Sequence, residues 1–191
     1  EEMHRSGKQR LIVERIQEAL TFSQQLGCTV GALGGFTSIV TEDGTALVPP
    51  PGMRLSTGNA LTVAVGVRRL LEVCRRLGTD PAGPGTRLGV LGATGNIGSA
   101  LAHALASGPS PFRRIVLVGR RPDALEELAG RVRAIAGEQS EIAVSTDLSA
   151  LRNCNVIAAA TGTNEPLLYP RHLPAIGSVI VADGSVPSVV A

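Results

Sequence analysis

RLGVLGATGNIGSALAHAL, from Arg87 to Leu105, is the stretch that decides the fold of this chain. A short apolar run, Leu88 to Leu91, leads into Gly92, Ala93, Thr94, Gly95, Asn96, Ile97 and Gly98. A helical pattern follows at once, with Ile97, Leu101 and Leu105 spaced four apart, the period at which side chains share one helix face. The order is strand, glycine-rich turn, helix. In such a unit the first two glycines turn the backbone tightly and bring it close to a pyrophosphate, and the third lets the helix pack on the strand. The helix N-terminus then offers N–H groups and a partial positive charge to the phosphates. The spacing here is GxxGxxG rather than GxGxxG. The strand before it and the helix after it supply the required context, so residues 92–98 form a candidate dinucleotide cradle.

Outward from this unit, the C-terminal part alternates regularly. Further strands are expected at Arg114–Val118, Ile142–Ser145, Val156–Ala160 and Ser178–Ala182, with a helix over Pro122–Ala136 and a helical turn around Ser149–Arg152. In the Pro122–Ala136 helix, Leu125, Leu128, Val132 and Ile135 fall on one face. Strands alternating with helices imply a parallel sheet with right-handed crossovers. Near-continuous apolar strands fit a sheet covered on both sides. The expected class is α/β, a Rossmann-like parallel sheet with helices on both faces, preceded by a helical or mixed segment on the substrate side.

That preceding segment, residues 1–80, begins with an amphipathic helix from about Gln9 to Leu26 and Gly27 at its C-cap. Phe36–Val40 reads as a short strand after Gly34-Gly35. Ser56-Thr57-Gly58-Asn59 precedes a second helix, about Ala60 to Leu77. A Pro/Gly-rich linker, residues 81–85, separates it from the nucleotide-binding part, residues 86–191. The sequence opens on Glu1 rather than Met and stops just beyond a strand-like segment, which suggests a piece of a longer protein.

The ends of the strands carry the other candidate ligands. Where NAD enzymes place an acidic residue, about 20 residues beyond the glycines, this chain has Gly119-Arg120-Arg121. A guanidinium pairs with a 2′-phosphate that a carboxylate would repel. The pair therefore points to NADPH, with Arg120 first and Arg121 second; the alternative is two exposed arginines that merely start a helix. Asp147 either accepts from an adenine amino group or caps the next turn. Ala160, Thr161 and Gly162 follow the fourth strand, where small residues allow close approach, and Thr161 or Asn164 is placed to meet a nicotinamide ribose. An ordinary βα loop is the alternative.

Composition narrows the classes. Hydrophobic residues are 43% and charged residues 18%, as in an ordinary globular chain, but aromatics are only 2%. A net charge of +2 and so few stacking rings give no footprint for a nucleic-acid partner. Cys28, Cys74 and Cys154 are scattered without a CxxC pair, so neither a metal site nor a disulfide framework is indicated and a reducing cytoplasm fits best. No apolar run is long enough to span a bilayer.

The combination of Ala32-Leu33-Gly34-Gly35-Phe36-Thr37-Ser38-Ile39, then Thr57-Gly58-Asn59, then Gly92 to Ala100 closely resembles the long-chain fatty acyl carrier protein reductases of cyanobacterial alkane synthesis. The resemblance runs over nearly the whole chain, including the leading helix and Asp183-Gly184. It implies NADPH-dependent reduction of an acyl thioester, carried by acyl carrier protein or coenzyme A, to an aldehyde. It also implies a cysteine nucleophile and a substrate-side role for Gly34, Gly35, Thr57, Gly58 and Asn59. None of the three cysteines here corresponds to that nucleophile, and no catalytic residue is assigned. Two rival readings remain. A shikimate-dehydrogenase-like oxidoreductase would need a lysine near its substrate, and Lys8 in the leading segment is the single lysine. A non-catalytic NADP-binding module would need no nucleophile at all.

Overall fold

A computed structural model describes residues 9–34, 36–108, 111–163, 165–175 and 177–184. The chain divides into two compact units, Glu1–Leu61 and Thr62–Ala191.

In the first unit, α1 (Gln9–Gln25) is followed by β1 (Val30–Ala32), α2 (Phe36–Val40) and β2 (Arg54–Ser56). β1 and β2 pair in parallel, Val30 with Arg54 through Ala32 with Ser56. A small core of Leu20, Leu33, Leu47 and Met53, with Val13, Ile16 and Leu55 against it, holds the unit together. Glutamines on α1 fasten the loops: Gln17 Nε2 donates to the Val48 carbonyl at 2.8 Å while its Oε1 accepts from the Val48 N–H at 2.9 Å. Phe36–Val40, expected as a strand, is a helix. The β-branched run suggests extension, but local bonds win. The Gly34 carbonyl accepts from the Thr37 hydroxyl at 2.7 Å and from its N–H at 3.2 Å, and Thr41 Oγ1 donates back to the Thr37 carbonyl at 2.6 Å.

The helix α3 (Asn59–Arg76) crosses the boundary between the units. Its Val63, Leu70 and Cys74 are buried in the core of the second unit. The division between the two compact units falls within this helix, at Leu61 and Thr62. Leu61 and Val65 of the same helix are 70% and 51% exposed.

The second unit continues with β3 (Leu88–Leu91), α4 (Asn96–Ser107), β4 (Arg114–Val118), α5 (Pro122–Ala136), β5 (Glu141–Ser145), a 3-10 helix (Leu148–Asn153), β6 (Val156–Ala159), a second 3-10 turn (Pro170–His172) and β7 (Ile180–Asp183). The five strands are all parallel, in the order β5-β4-β3-β6-β7. By rank along the chain that order is 3-2-1-4-5, which belongs to Rossmann-type sheets and reverses between β3 and β6.

Side chains alternate between the faces as the pleat requires. Leu88, Val90, Ile115 and Leu117 turn to one side, where residues of α3, α4 and α5 and the fully buried Phe112 complete a large core. Leu91, Val116, Val118 and Ile157 turn to the other, covered by Leu151 and Cys154 of the 3-10 region and by Leu168. Each leucine so buried contributes about 1.5–3 kcal/mol. Gly89 is required by this second cover, because a Cβ there would lie 3.2 Å from Cys154 Sγ and closer still to the Leu151 side chain. Ile135, expected on the apolar face of α5, is 45% exposed; the stripe ends at Val132. At the N-terminal end of the sheet, Glu141 bridges Arg87 Nη2 at 3.0 Å and Arg114 Nε at 3.6 Å.

Candidate functional site

A cavity of about 610 Å³ opens at the carboxyl ends of β3, β4 and β6. That is where parallel α/β sheets bind ligands, and the volume is within the range of cofactor sites. It is built by the loop after β3 (Gly92, Thr94, Gly95), the loop after β4 (Gly119, Arg120, Arg121) and the segment after β6 (Ala160 to Thr163).

The glycine loop has a specific reason at each position. Gly92 sits at φ +77, where only glycine is unstrained, and a Cβ on it would collide with the Ala160 carbonyl. Its N–H and that of Ala93 both donate to the Val118 carbonyl, at 2.9 and 3.0 Å. The loop is thereby pinned between β4 and β6. Gly95 is the N-cap of α4 in an extended conformation, and a Cβ there would meet only the Gly92 oxygen at 3.3 Å. Gly98 is buried in the first turn of α4, where a Cβ would strike the Gly92 carbonyl and lie 3.1 Å from the Ala93 Cα. Ala93 is fully buried and Ile97 packs against the same core, so these two support the loop rather than line the cavity. Asn96 opens α4. The first N–H groups of a helix have no acceptor within it, and here they lie beside the open face of Gly95.

Arg120 and Arg121 line the cavity, and neither forms a salt bridge among the described residues. Arg121 is also the N-cap of α5, and Asp123 lies in its first turn. Among the described residues, no acidic one lines the cavity. Two guanidiniums and a helix N-terminus therefore meet in a site suited to an anion. Its residues fit an adenine dinucleotide: a glycine edge without side chains for the pyrophosphate, and cations for phosphate charge.

Asp147 is placed differently from its neighbours. Its carboxylate accepts from the Ser149 N–H at 2.8 Å and from the Ser149 hydroxyl at 2.5 Å, capping the 3-10 helix. These two bonds, the hydroxyl's foremost, hold its pKa below the ordinary 3.8. The residues on either side, Thr146 and Leu148, line the cavity instead. Leu167 does so as well. None of the three was singled out from the sequence, because they come from 3-10 turns and a coil that carry no motif. Asn164 lies outside the described residues.

In the first unit, the parallel pairing of β1 and β2 brings the two glycine loops together. The Leu33 N–H donates to the Ser56 carbonyl at 2.8 Å. Gly58, at φ +75, approaches the Leu33 carbonyl. Thr57 Oγ1 accepts from the Asn59 N–H at 3.3 Å, which caps α3. Gly34 leaves open space where a Cβ would stand; Gly35 lies outside the described residues.

Cys74 and Cys154 are completely buried and Cys28 is exposed. Burial raises both buried thiols, that of Cys154 to about 11, the opposite of what a reactive cysteine needs. Among the described residues no group of three or more His, Cys, Asp or Glu could hold a metal ion, and no helix is long and apolar enough to cross a membrane. His103 Nδ1 bonds the Ser99 carbonyl at 2.7 Å within α4. His172 is buried in the second 3-10 turn.

Strand order, glycine loop and cavity together define a Rossmann-type nucleotide-binding domain. The long-chain acyl-[acyl-carrier-protein] reductase of Synechococcus elongatus is 32% identical over 111 residues, covering 54% of this chain and 32% of that protein. The chain thus spans about a third of the length of the curated relative it matches. Among solved structures, the nucleotide-binding domain of glutamyl-tRNA reductase from Thermoplasma volcanium matches with a TM-score of 0.43 and 20% identity, over 64% of this chain and 77% of that one. No protein-family model matches the sequence.

Proposed function

We propose that this chain is the nucleotide-binding portion of a cytoplasmic NADPH-dependent reductase that converts a fatty acyl thioester, on acyl carrier protein or coenzyme A, to an aldehyde. The observation that carries the cofactor is the pair Arg120 and Arg121 on the cavity wall where an NAD enzyme would present an acid. The likeness to an acyl-[acyl-carrier-protein] reductase supports the substrate class. When bound, the nicotinamide supplies the hydride. The residues of this chain bind and orient it. Gly92, Thr94 and Gly95 admit the pyrophosphate, Arg120 pairs with the 2′-phosphate, and the small residues Ala160, Thr161 and Gly162 leave room for the nicotinamide ribose. Gly34, Thr57, Gly58 and Asn59 serve the acyl substrate in this reading, and Asp147 supports the adenine end by holding the turn between Thr146 and Leu148.

The test is cofactor preference. Removing a hydrogen-bond partner from a charged group costs about 1.5–3 kcal/mol. Arg120→Ala is therefore expected to weaken NADPH about tenfold or more and to leave NADH nearly unchanged in calorimetric titrations. Equal losses for both cofactors would remove the arginine from the 2′-phosphate.

The thiols support a division of labour. Acyl transfer to the protein needs an activated thiolate within reach of the carbonyl, and Cys74 and Cys154 are buried and protonated at neutral pH. Residues 1–191 are expected to bind NADPH yet yield no aldehyde and no acyl adduct when incubated with an acyl carrier protein thioester. Steady aldehyde production would overturn this and point to Cys28. The same thiols favour a second reading, a non-catalytic NADP-binding module.

A further inference from the structure

Backbone hydrogen bonds join the loop after β3 to the end of β4. The Val118 carbonyl accepts from both Gly92 and Ala93. One residue further on, the Gly119 N–H donates across to the Ser145 carbonyl at 3.2 Å. Held this way, the side chain of Thr94 stands against Gly119. A Cβ built on Gly119 would lie 3.4 Å from Thr94 Oγ1 and 3.6 Å from Thr94 Cγ2. Both residues line the cavity, and Arg120 and Arg121 continue the same wall. Because position 119 has no side chain, nothing of its own covers the Thr94 hydroxyl.

That hydroxyl is uncommitted. Thr94 Oγ1 has no hydrogen-bond partner among the described residues, and neither has the Arg120 guanidinium. Thr163, also on the cavity wall, differs: its hydroxyl donates to the Glu165 carbonyl at 2.6 Å. The glycine loop is pinned through backbone groups, so the Thr94 hydroxyl contributes no bond to its shape. A neutral donor with no structural task therefore sits beside the residue that precedes Arg120.

We propose that Thr94 is a specificity-determining residue of the nucleotide site: its hydroxyl and the Arg120 guanidinium hold the 2′-phosphate together, the first as a neutral donor and the second as counter-ion. The proposal rests on the NADPH reading given above. There the backbone of residue 94 belongs to the pyrophosphate edge; here its side chain has a separate task.

The chemistry follows from what each partner offers. A phosphate monoester presents several strong acceptor oxygens, and one guanidinium fork engages only part of them. A hydroxyl donates one hydrogen bond and also accepts, so it can meet a further phosphate oxygen. It can also meet the bare 2′-hydroxyl of NAD+. The two bonds differ in strength, because a hydrogen bond to an ionised group is about twice as strong as one between neutral groups. Thr94 thus adds to the preference that Arg120 sets, without excluding the unphosphorylated ribose.

The test uses the full chain and calorimetric titration with NADP+, NAD+ and adenosine 2′,5′-bisphosphate, which carries the 2′-phosphate but no nicotinamide. Thr94→Val keeps the branched shape and removes the hydroxyl. Since the fold loses no hydrogen bond, its melt should stay cooperative and close to that of the wild type. It is expected to weaken NADP+ and the bisphosphate about tenfold and NAD+ by less than about twofold. Thr94→Ser, which keeps the hydroxyl, should restore most of the loss. Equal losses for NADP+ and NAD+ would assign the hydroxyl to the pyrophosphate and overturn the proposal. So would an unchanged NADP+ affinity in Thr94→Val while Arg120→Ala still discriminates between the cofactors. A wild type that binds NADP+ and NAD+ equally, with Arg120→Ala altering neither, overturns the NADPH reading itself and the proposal with it.

Discussion

Replacing Gly95 by valine is expected to abolish nucleotide binding while leaving the chain folded. Gly95 lines the cavity in an extended conformation, φ −81 and ψ 164, which valine adopts without strain. Its nearest neighbour on the Cβ side is the Gly92 oxygen at 3.3 Å, so the first carbon requires a shift of a few tenths of an ångström, which the Gly95 side of the loop supplies without moving that carbonyl. The N-cap preference is lost as well, at a cost of about 1 kcal/mol. The two methyl groups, however, occupy the edge where a pyrophosphate would meet the start of α4. Calorimetric titration with NADPH should show no measurable heat of binding, and a thermal melt should remain cooperative. Undiminished affinity would place the phosphate cradle elsewhere.

Three residues on, the same kind of change is expected to damage the fold instead. Glycine to alanine inside a helix ordinarily stabilises by about 1 kcal/mol. At Gly98 the sign should reverse, because the new Cβ would strike the Gly92 carbonyl, which the loop's bonds to Val118 and its contact with Ala160 hold in place. Overpacking of this kind costs about 1–3 kcal/mol, and backbone gives way less readily than a side chain. Gly98→Ala should therefore unfold at clearly lower denaturant than wild type. A neutral or stabilising result would mean that the loop can shift, and would remove the packing argument for the third glycine.

How much of this was legible beforehand follows from the lengths of the signals. β3, β4 and β6 hold apolar runs of four residues and β5 the shorter Ile142-Ala143-Val144, and α4 and α5 each keep a helical stripe over about two turns. Their order alone implied the parallel sheet. β1 and β2 have three residues each, with Gly31 in one and Arg54 in the other, too little for any period to register. Phe36–Val40 was misjudged because composition favoured a strand while hydrogen bonds to the Gly34 carbonyl favoured a turn of helix. At the site, the glycine loop and Arg120 and Arg121, which the structure places on one cavity, stood out because a phosphate cradle would impose a spacing. Thr146, Leu148 and Leu167 were not, since any small or apolar residue can wall a cavity. Asp147 was read both as a ligand and as a cap, and spacing could not choose between hydrogen bonds that only coordinates reveal.

The uneven roofing of the sheet has a further consequence. One face lies under three α-helices; among the described residues, the other has only short 3-10 turns and the segment around Leu168, part of which also walls the cavity. Lifting that thin cover would expose Val116 and Ile157 and open the binding site in a single event. Such local opening draws on the least stable part of a structure, and a ligand that binds only the closed form suppresses it, by about 2.7 kcal/mol at a hundredfold excess over Kd. Saturation with nucleotide is therefore expected to slow amide hydrogen exchange in Leu148–Asn153 and in β6 far more than in α5, so that this side of the domain borrows its rigidity from its ligand.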